Sequence, residues 1–127
     1  MKNDLKDKPK SNVGKVYRGR TKYIDTETKL ERNYVVVRDN GKNVSVSKLK
    51  SIKSESNPAL YEIDYRKYGL EKRTGIDSKI YSKNRMSKKP LTLSDKRVFP
   101  EEKERFKLSS HDTHRAIKHT QKRKKPR

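Results

Sequence analysis

Three histidines, His111, His114 and His119, fall within nine residues of one another. On a helix, His111, His114 and Arg115 share a face. A histidine titrates near neutrality, so the pair could serve an endonuclease as acid and base; alternatively, it belongs to a solvated basic face that contacts phosphate. A metal ion could take two of them, but the only further ligand at hand is Asp112, whose direction is wrong on a helix, so no metal is expected. The five glycines, at 14, 19, 41, 69 and 75, spell neither a dinucleotide fingerprint nor a phosphate loop of the Walker type, and no cofactor is expected. The acid pairs Glu62/Asp64 and Glu101/Glu102 stand in ordinary strand and helix-start contexts. A two-metal nuclease would need carboxylates converging from several strands. No strained nucleophile turn of a Ser-His-Asp hydrolase is visible.

The aromatic set is skewed: seven Tyr, two Phe and no Trp. On a basic sheet such rings stack bases without demanding one sequence. Most of these tyrosines, Tyr17, Tyr61 and Tyr65 among them, suit half-buried core positions with wet hydroxyls. Tyr34 is the exception, for a reason that lies in the hairpin around it.

Residues 33–49 place Asn40-Gly41 between two β-branched, alternating runs. A two-residue type I′ turn there sets Val37 opposite Val44 and Val35 opposite Val46, four valines on one buried face. The other face then shows Arg32, Tyr34, Val36 and Arg38 across from Leu49, Ser47, Ser45 and Asn43, with the Tyr34 ring open to a base. Residues 14–24, which include Arg18 and Arg20 among Val16, Tyr17, Tyr23 and Ile24, predict a strand joined to the hairpin by a turn at 25–28. Residues 60–65 predict a further strand, or a short helix capped by Asn57 with Pro58 in its first turn, and residues 75–82 predict another strand. Pro100 followed by Glu101 and Glu102 suits a short helix to residue 108, and Ser109 or Ser110 can cap a second one through Thr120. The expected fold is mainly β, a small barrel or strongly bent sheet, with one or two short C-terminal α-helices.

The 127 residues carry 36 Lys+Arg against 16 Asp+Glu, a formal charge of +20, with 28% hydrophobic content. That supports one small core, at residues 13–120, between a polar arm at 1–12 and a basic tail at 121–127 that should stay extended until it meets a polyanion. With no Cys there is neither a disulfide scaffold nor a thiolate zinc site. No apolar run suits a membrane span or a secretion signal, so a cytoplasmic protein is expected. A charge of this size exceeds what solubility needs, and nucleic acid is its usual partner, because neutralising phosphates releases counterions. The candidate contacts are Arg18, Arg20, Tyr34, Arg38, Lys48, His111, His114, Arg115, Lys122, Arg123, Lys124 and Lys125.

Residues 13–83 also carry an ordered series of motifs. Gly14-Lys15-Val16 opens a strand. Arg32-Asn33-Tyr34-Val35-Val36-Val37 sets an arginine before a valine run, and Val44-Ser45-Val46-Ser47-Lys48-Leu49-Lys50-Ser51 follows. Gly69-Leu70-Glu71-Lys72-Arg73-Thr74 then precedes the next strand. In this order the motifs resemble the MazF/PemK family of toxin endoribonucleases. The resemblance implies an SH3-like, PemK-like barrel, usually dimeric, that cuts single-stranded RNA by attack of a ribose 2′-hydroxyl on the adjacent phosphate. It also implies a neutralising antitoxin, which for this surface would be acidic. Arg32 maps to the family's arginine, whose fork stabilises the crowded phosphorus centre. Lys50 stands where the family has a threonine, so Lys50 and the following Ser51 would share the assisting role. Residues 84–127 have no counterpart in the family. The alternative is a non-catalytic RNA- or DNA-binding module of a phage or mobile element, or an inhibitor of a nucleic-acid enzyme.

Overall fold

A computed structural model describes residues 11–25, 28–53, 59–101 and 103–124. Six antiparallel strands form one sheet: β1 (Lys15–Arg20), β2 (Glu31–Asp39), β3 (Val44–Ser51), β4 (Leu60–Ile63), β5 (Thr74–Asp77) and β6 (Phe106–Lys107). Their spatial order is β4-β5-β3-β2-β1-β6, curled into a half-barrel. A four-residue helix, α1 (Thr21–Ile24), follows β1, and a long helix, α2 (Ser110–Lys124), is the last described element. Among the described residues no helix is long and apolar enough to cross a membrane.

The hairpin is where its sequence predicts, but its register differs by two residues beside the loop and by one beyond a β-bulge. Val36 pairs with Val46 and Val35 with Ser47, and a β-bulge between Val36 and Arg38 then brings Asp39 opposite Val44. The longer loop slips the register by two residues and the bulge takes one back. Asn40 Oδ1 accepts the N–H groups of both Lys42 and Asn43, at 2.9 and 2.8 Å, and the Asn40 N–H bonds to the Asn43 carbonyl. This side-chain turn spans four residues where a type I′ turn would span two, and Gly41 supplies its positive φ of 95°. A one-residue slip exchanges inward and outward sets. Here both sets are buried. Tyr34, Val36 and Val46 pack with Leu91, Val98 and Phe99, while Val35 and Val37 pack with Val16, Leu49, Ile76 and Ala116 of α2.

Three further expectations change. The strand predicted for 14–24 stops at Arg20, where Thr21 opens α1. The strand predicted for 75–82 ends at Asp77, although Tyr81 still bridges Val46 through a pair of backbone hydrogen bonds. Among the described residues of 100–108 no helix forms. Instead, the Arg105 N–H bonds to the Val16 carbonyl and the Leu108 N–H to the Gly14 carbonyl, so Phe106 and Lys107 form β6 on the free edge of β1. Phe106 and Leu108 alternate toward the core, a two-residue period that overrides the helix-start signal. The second helix is capped as predicted, with Ser109 Oγ accepting the Asp112 N–H at 3.1 Å. It continues through 121–124, where an extended tail is predicted. The predicted arm, apart from residues 11 and 12, lies outside the described residues, as do Asn57, Pro58 and Lys125.

Candidate nucleic-acid interface

β3 changes partner partway along its length. It pairs with β2 up to Tyr34↔Lys48 and with β5 from Leu49↔Ile76 onward. Past that point β2 and β3 separate, and the fork opens a cleft of about 840 Å³. Arg32 from β2 and Lys50 and Ser51 from β3 line it together, so the three residues predicted as catalytic share one site. The Arg32 Nη1 donates to the Leu49 carbonyl at 3.1 Å, which fixes the guanidinium across the fork.

Among the described residues, six basic side chains line the cleft, Lys29, Arg32, Lys50, Lys53, Lys72 and Arg73, against a single acid, Glu71. Arg73 is already engaged with Glu62 in a bidentate pair, both contacts at 2.9 Å, and those hydrogen bonds hold the Glu62 carboxyl below the usual carboxylate range. Among the described residues, no acid lies within ion-pair distance of Lys29, Lys50, Lys53 or Lys72. Lys29 is held at the rim because the Thr21 hydroxyl donates to its carbonyl and the Thr21 N–H bonds to the Leu30 carbonyl. An adjoining hollow of about 500 Å³ shares Arg32, Lys50, Ser51, Glu71 and Lys72 and adds Arg18, Glu31 and Arg105. Glu31 offsets part of that added charge, lying 3.0 Å from Arg18 and 3.9 Å from Arg20. The whole 69–74 segment borders one hollow or the other. Lys29, Tyr65, Glu71 and Lys72 are site residues that no catalytic or binding assignment from the sequence included; for Glu71 and Lys72 the signal was the motif that contains them.

Two predicted contacts are corrected. Tyr34 is fully buried and cannot reach a base; its hydroxyl donates to Asp25 Oδ2 at 3.3 Å. Burial, together with the Asp25 carboxylate, pushes its phenol far above the ordinary range. Lys48 is equally internal, its Nζ 3.5 Å from Asp25 Oδ2, with the two side chains only 8% and 6% exposed. The face expected to be open is covered by Ile24 of α1 and by Leu91, Val98 and Phe99, a layer contributed by segments without regular periodicity. Arg38 is exposed but lies at the opposite end of β2, in a shallow hollow with Asn43, Ser82 and Lys83.

The histidines stand apart from the cleft, whose lining includes none of them, nor Arg115. His111, His114 and Arg115 are exposed on α2, and His119 Nε2 is 2.9 Å from the Ala59 carbonyl. Asp112 is buried, accepting the hydroxyls of Tyr61 at 2.9 Å and Tyr68 at 2.5 Å. The backbone at Lys122, Arg123 and Lys124 forms the last turn of α2. Among the described residues, no three His, Asp or Glu side chains gather as a metal-ion site. The chain matches no protein-family model and no curated protein.

Proposed function

We propose that the protein binds nucleic acid through its phosphates in the Arg32–Lys50 cleft, and that the ligand is RNA. The observation that carries this reading is the set of four lysines, Lys29, Lys50, Lys53 and Lys72, that line the cleft with Arg32, none of the four within ion-pair distance of an acid among the described residues. A polyanion that displaces its own counterions is what such a groove attracts. Arg32 offers a planar fork to a phosphate, and Ser51 offers a hydroxyl beside it. A cytoplasmic location goes with an RNA ligand.

A second reading, cleavage of that RNA, is favoured by the meeting of Arg32, Lys50, Ser51 and the 69–74 segment at one place. It carries with it the SH3-like form of the barrel, an acidic antitoxin that competes for the cleft, and a homodimer. In this reading the 2′-oxygen attacks the adjacent phosphorus and the 5′-oxygen leaves, giving a 2′,3′-cyclic phosphate and a 5′-hydroxyl. Arg32 and Lys50 stabilise the added negative charge. Glu71, which lines both hollows, takes the 2′-hydroxyl proton, and water protonates the leaving oxygen.

Incubation of the purified protein with long single-stranded RNA in EDTA separates the two. Retention of intact RNA that is lost in Lys50→Glu supports binding alone. Cyclic-phosphate ends that disappear in Arg32→Ala support cleavage. RNA that is neither retained at low salt nor cut, or that binds Lys50→Glu as well as the wild type, overturns both.

A further inference from the structure

We propose that Tyr65 is the base-stacking residue of the cleft, so that the ligand is read as a strand with unpaired bases; this rests on the cleft being a phosphate-binding groove. The chain has seven tyrosines, and six of them pack with one of the two hydrophobic clusters. Tyr17, Tyr23, Tyr34 and Tyr81 belong with the first, Tyr61 and Tyr68 with the second. Tyr65 packs with neither and lines the cleft beside Lys29, Arg32 and Lys50. In a protein with so little apolar content, an aromatic ring kept out of both clusters and set among cations is matched to a planar, anionic partner.

The ring is also held in place. Tyr65 opens a 3₁₀ turn, Tyr65–Tyr68, that Gly69 closes with a left-handed φ of 74°. The Leu70 N–H bonds back to the Tyr65 carbonyl at 3.0 Å. The Arg66 guanidinium lies 5.5 Å from the ring centroid, and its Nε donates to the Tyr65 hydroxyl at 3.2 Å. A ring fixed in advance loses little freedom when a base settles on it. Every base presents a π-face, whereas a duplex hides those faces, so this contact selects strandedness and not sequence.

The test compares two oligoribonucleotides of equal length, one with its bases and one abasic. Both carry the same phosphates, so the cleft alone treats them alike. The wild type is expected to prefer the base-bearing strand by roughly tenfold or more. Tyr65→Phe keeps the preference, while Tyr65→Ala binds both strands as the wild type binds the abasic one, with an unchanged salt dependence. A strand carrying 5-iodouridine, photocrosslinked to the wild type, reports the same contact without any substitution and is expected to attach at Tyr65. Equal, salt-sensitive binding of both strands by the wild type, or crosslinks confined to other residues, overturns the stacking role and leaves the phosphate groove standing. Failure to bind either strand overturns both.

Discussion

Lys48 and Lys50 are two residues apart on β3 and point to the same face of the strand, yet their surroundings oppose each other. Lys48 lies under α1 with its charge against Asp25, and Lys50 lies past the fork in the open cleft. Removing one partner of a buried ion pair leaves the other charge uncompensated, which costs about 3–5 kcal/mol, whereas an exposed lysine contributes little to folding. Asp25→Ala should therefore lower the urea midpoint strongly, while Lys50→Ala leaves it unchanged and weakens RNA binding. Tyr34, bonded to the same carboxylate, adds a pH signature. Its phenol is raised above the ordinary tyrosine value of about 10, so beyond pH 10 the unfolded chain releases a proton that the folded chain keeps. The unfolded state then binds fewer protons and stability falls as pH rises, this one group approaching about 1.4 kcal/mol per pH unit once the unfolded phenol is fully ionised. Denaturation followed between pH 10 and 12 should show this fall, and Tyr34→Phe should make it shallower, the raised phenols of Tyr17, Tyr61 and Tyr81 keeping the remainder.

Helix α2 is fixed at its first turn by groups from two different strands or turns. Ser109 caps it, and Asp112, in that same turn, receives the hydroxyls of Tyr61 and Tyr68. Burial, with the hydrogen bond to Asp112, pushes the Tyr61 phenol up to about 12. Ser109→Ala should cost about 1 kcal/mol, the usual cap value. Asp112→Ala should cost more, because it strands two partly buried hydroxyls, and amide exchange should quicken in α2 before it does in β2 and β3. This helix was legible in advance, since a cap serine followed by an aspartate is a local signal. So were the hairpin, β4 and the place of Arg32 at the end of a valine strand. What escaped was decided at a distance. The register turned on the Asn40 side chain filling a four-residue loop together with the bulge between Val36 and Arg38, and β6 turned on a free edge of β1 that no local pattern announces. Tyr34 was misplaced for both reasons, a slipped register and a covering layer drawn from residues 91–99. Of the cleft's lining, Arg32, Lys50 and Ser51 were singled out in the sequence, whereas Lys29, Lys53, Lys72 and Arg73 were not, because the partner change of β3 at Leu49 that gathers them leaves no mark on the sequence.

A formal charge of +20 on 127 residues makes the molecule repel itself, and it also supplies most of what it offers a polyanion. Salt should therefore act in opposite directions on the free and bound forms. Added NaCl should raise the melting temperature of the protein alone by screening repulsion, and should lower it when RNA is present by weakening the ligand that stabilises the fold. The binding slope says which part of the charge is used. For a single strand, log K falls with log salt by about 0.7 per phosphate neutralised, so a strand held by Lys29, Arg32, Lys50 and Lys72 should give a slope of about −3. Lys29→Ala and Lys72→Ala should each make that slope shallower by about 0.7, whereas Arg38→Ala, at the far end of β2, should leave it unchanged. Titrations by fluorescence anisotropy between 50 and 300 mM salt measure all of these directly. If Arg115→Ala flattens the slope while Lys29→Ala and Lys72→Ala do not, the strand runs along α2 and the cleft is not the site.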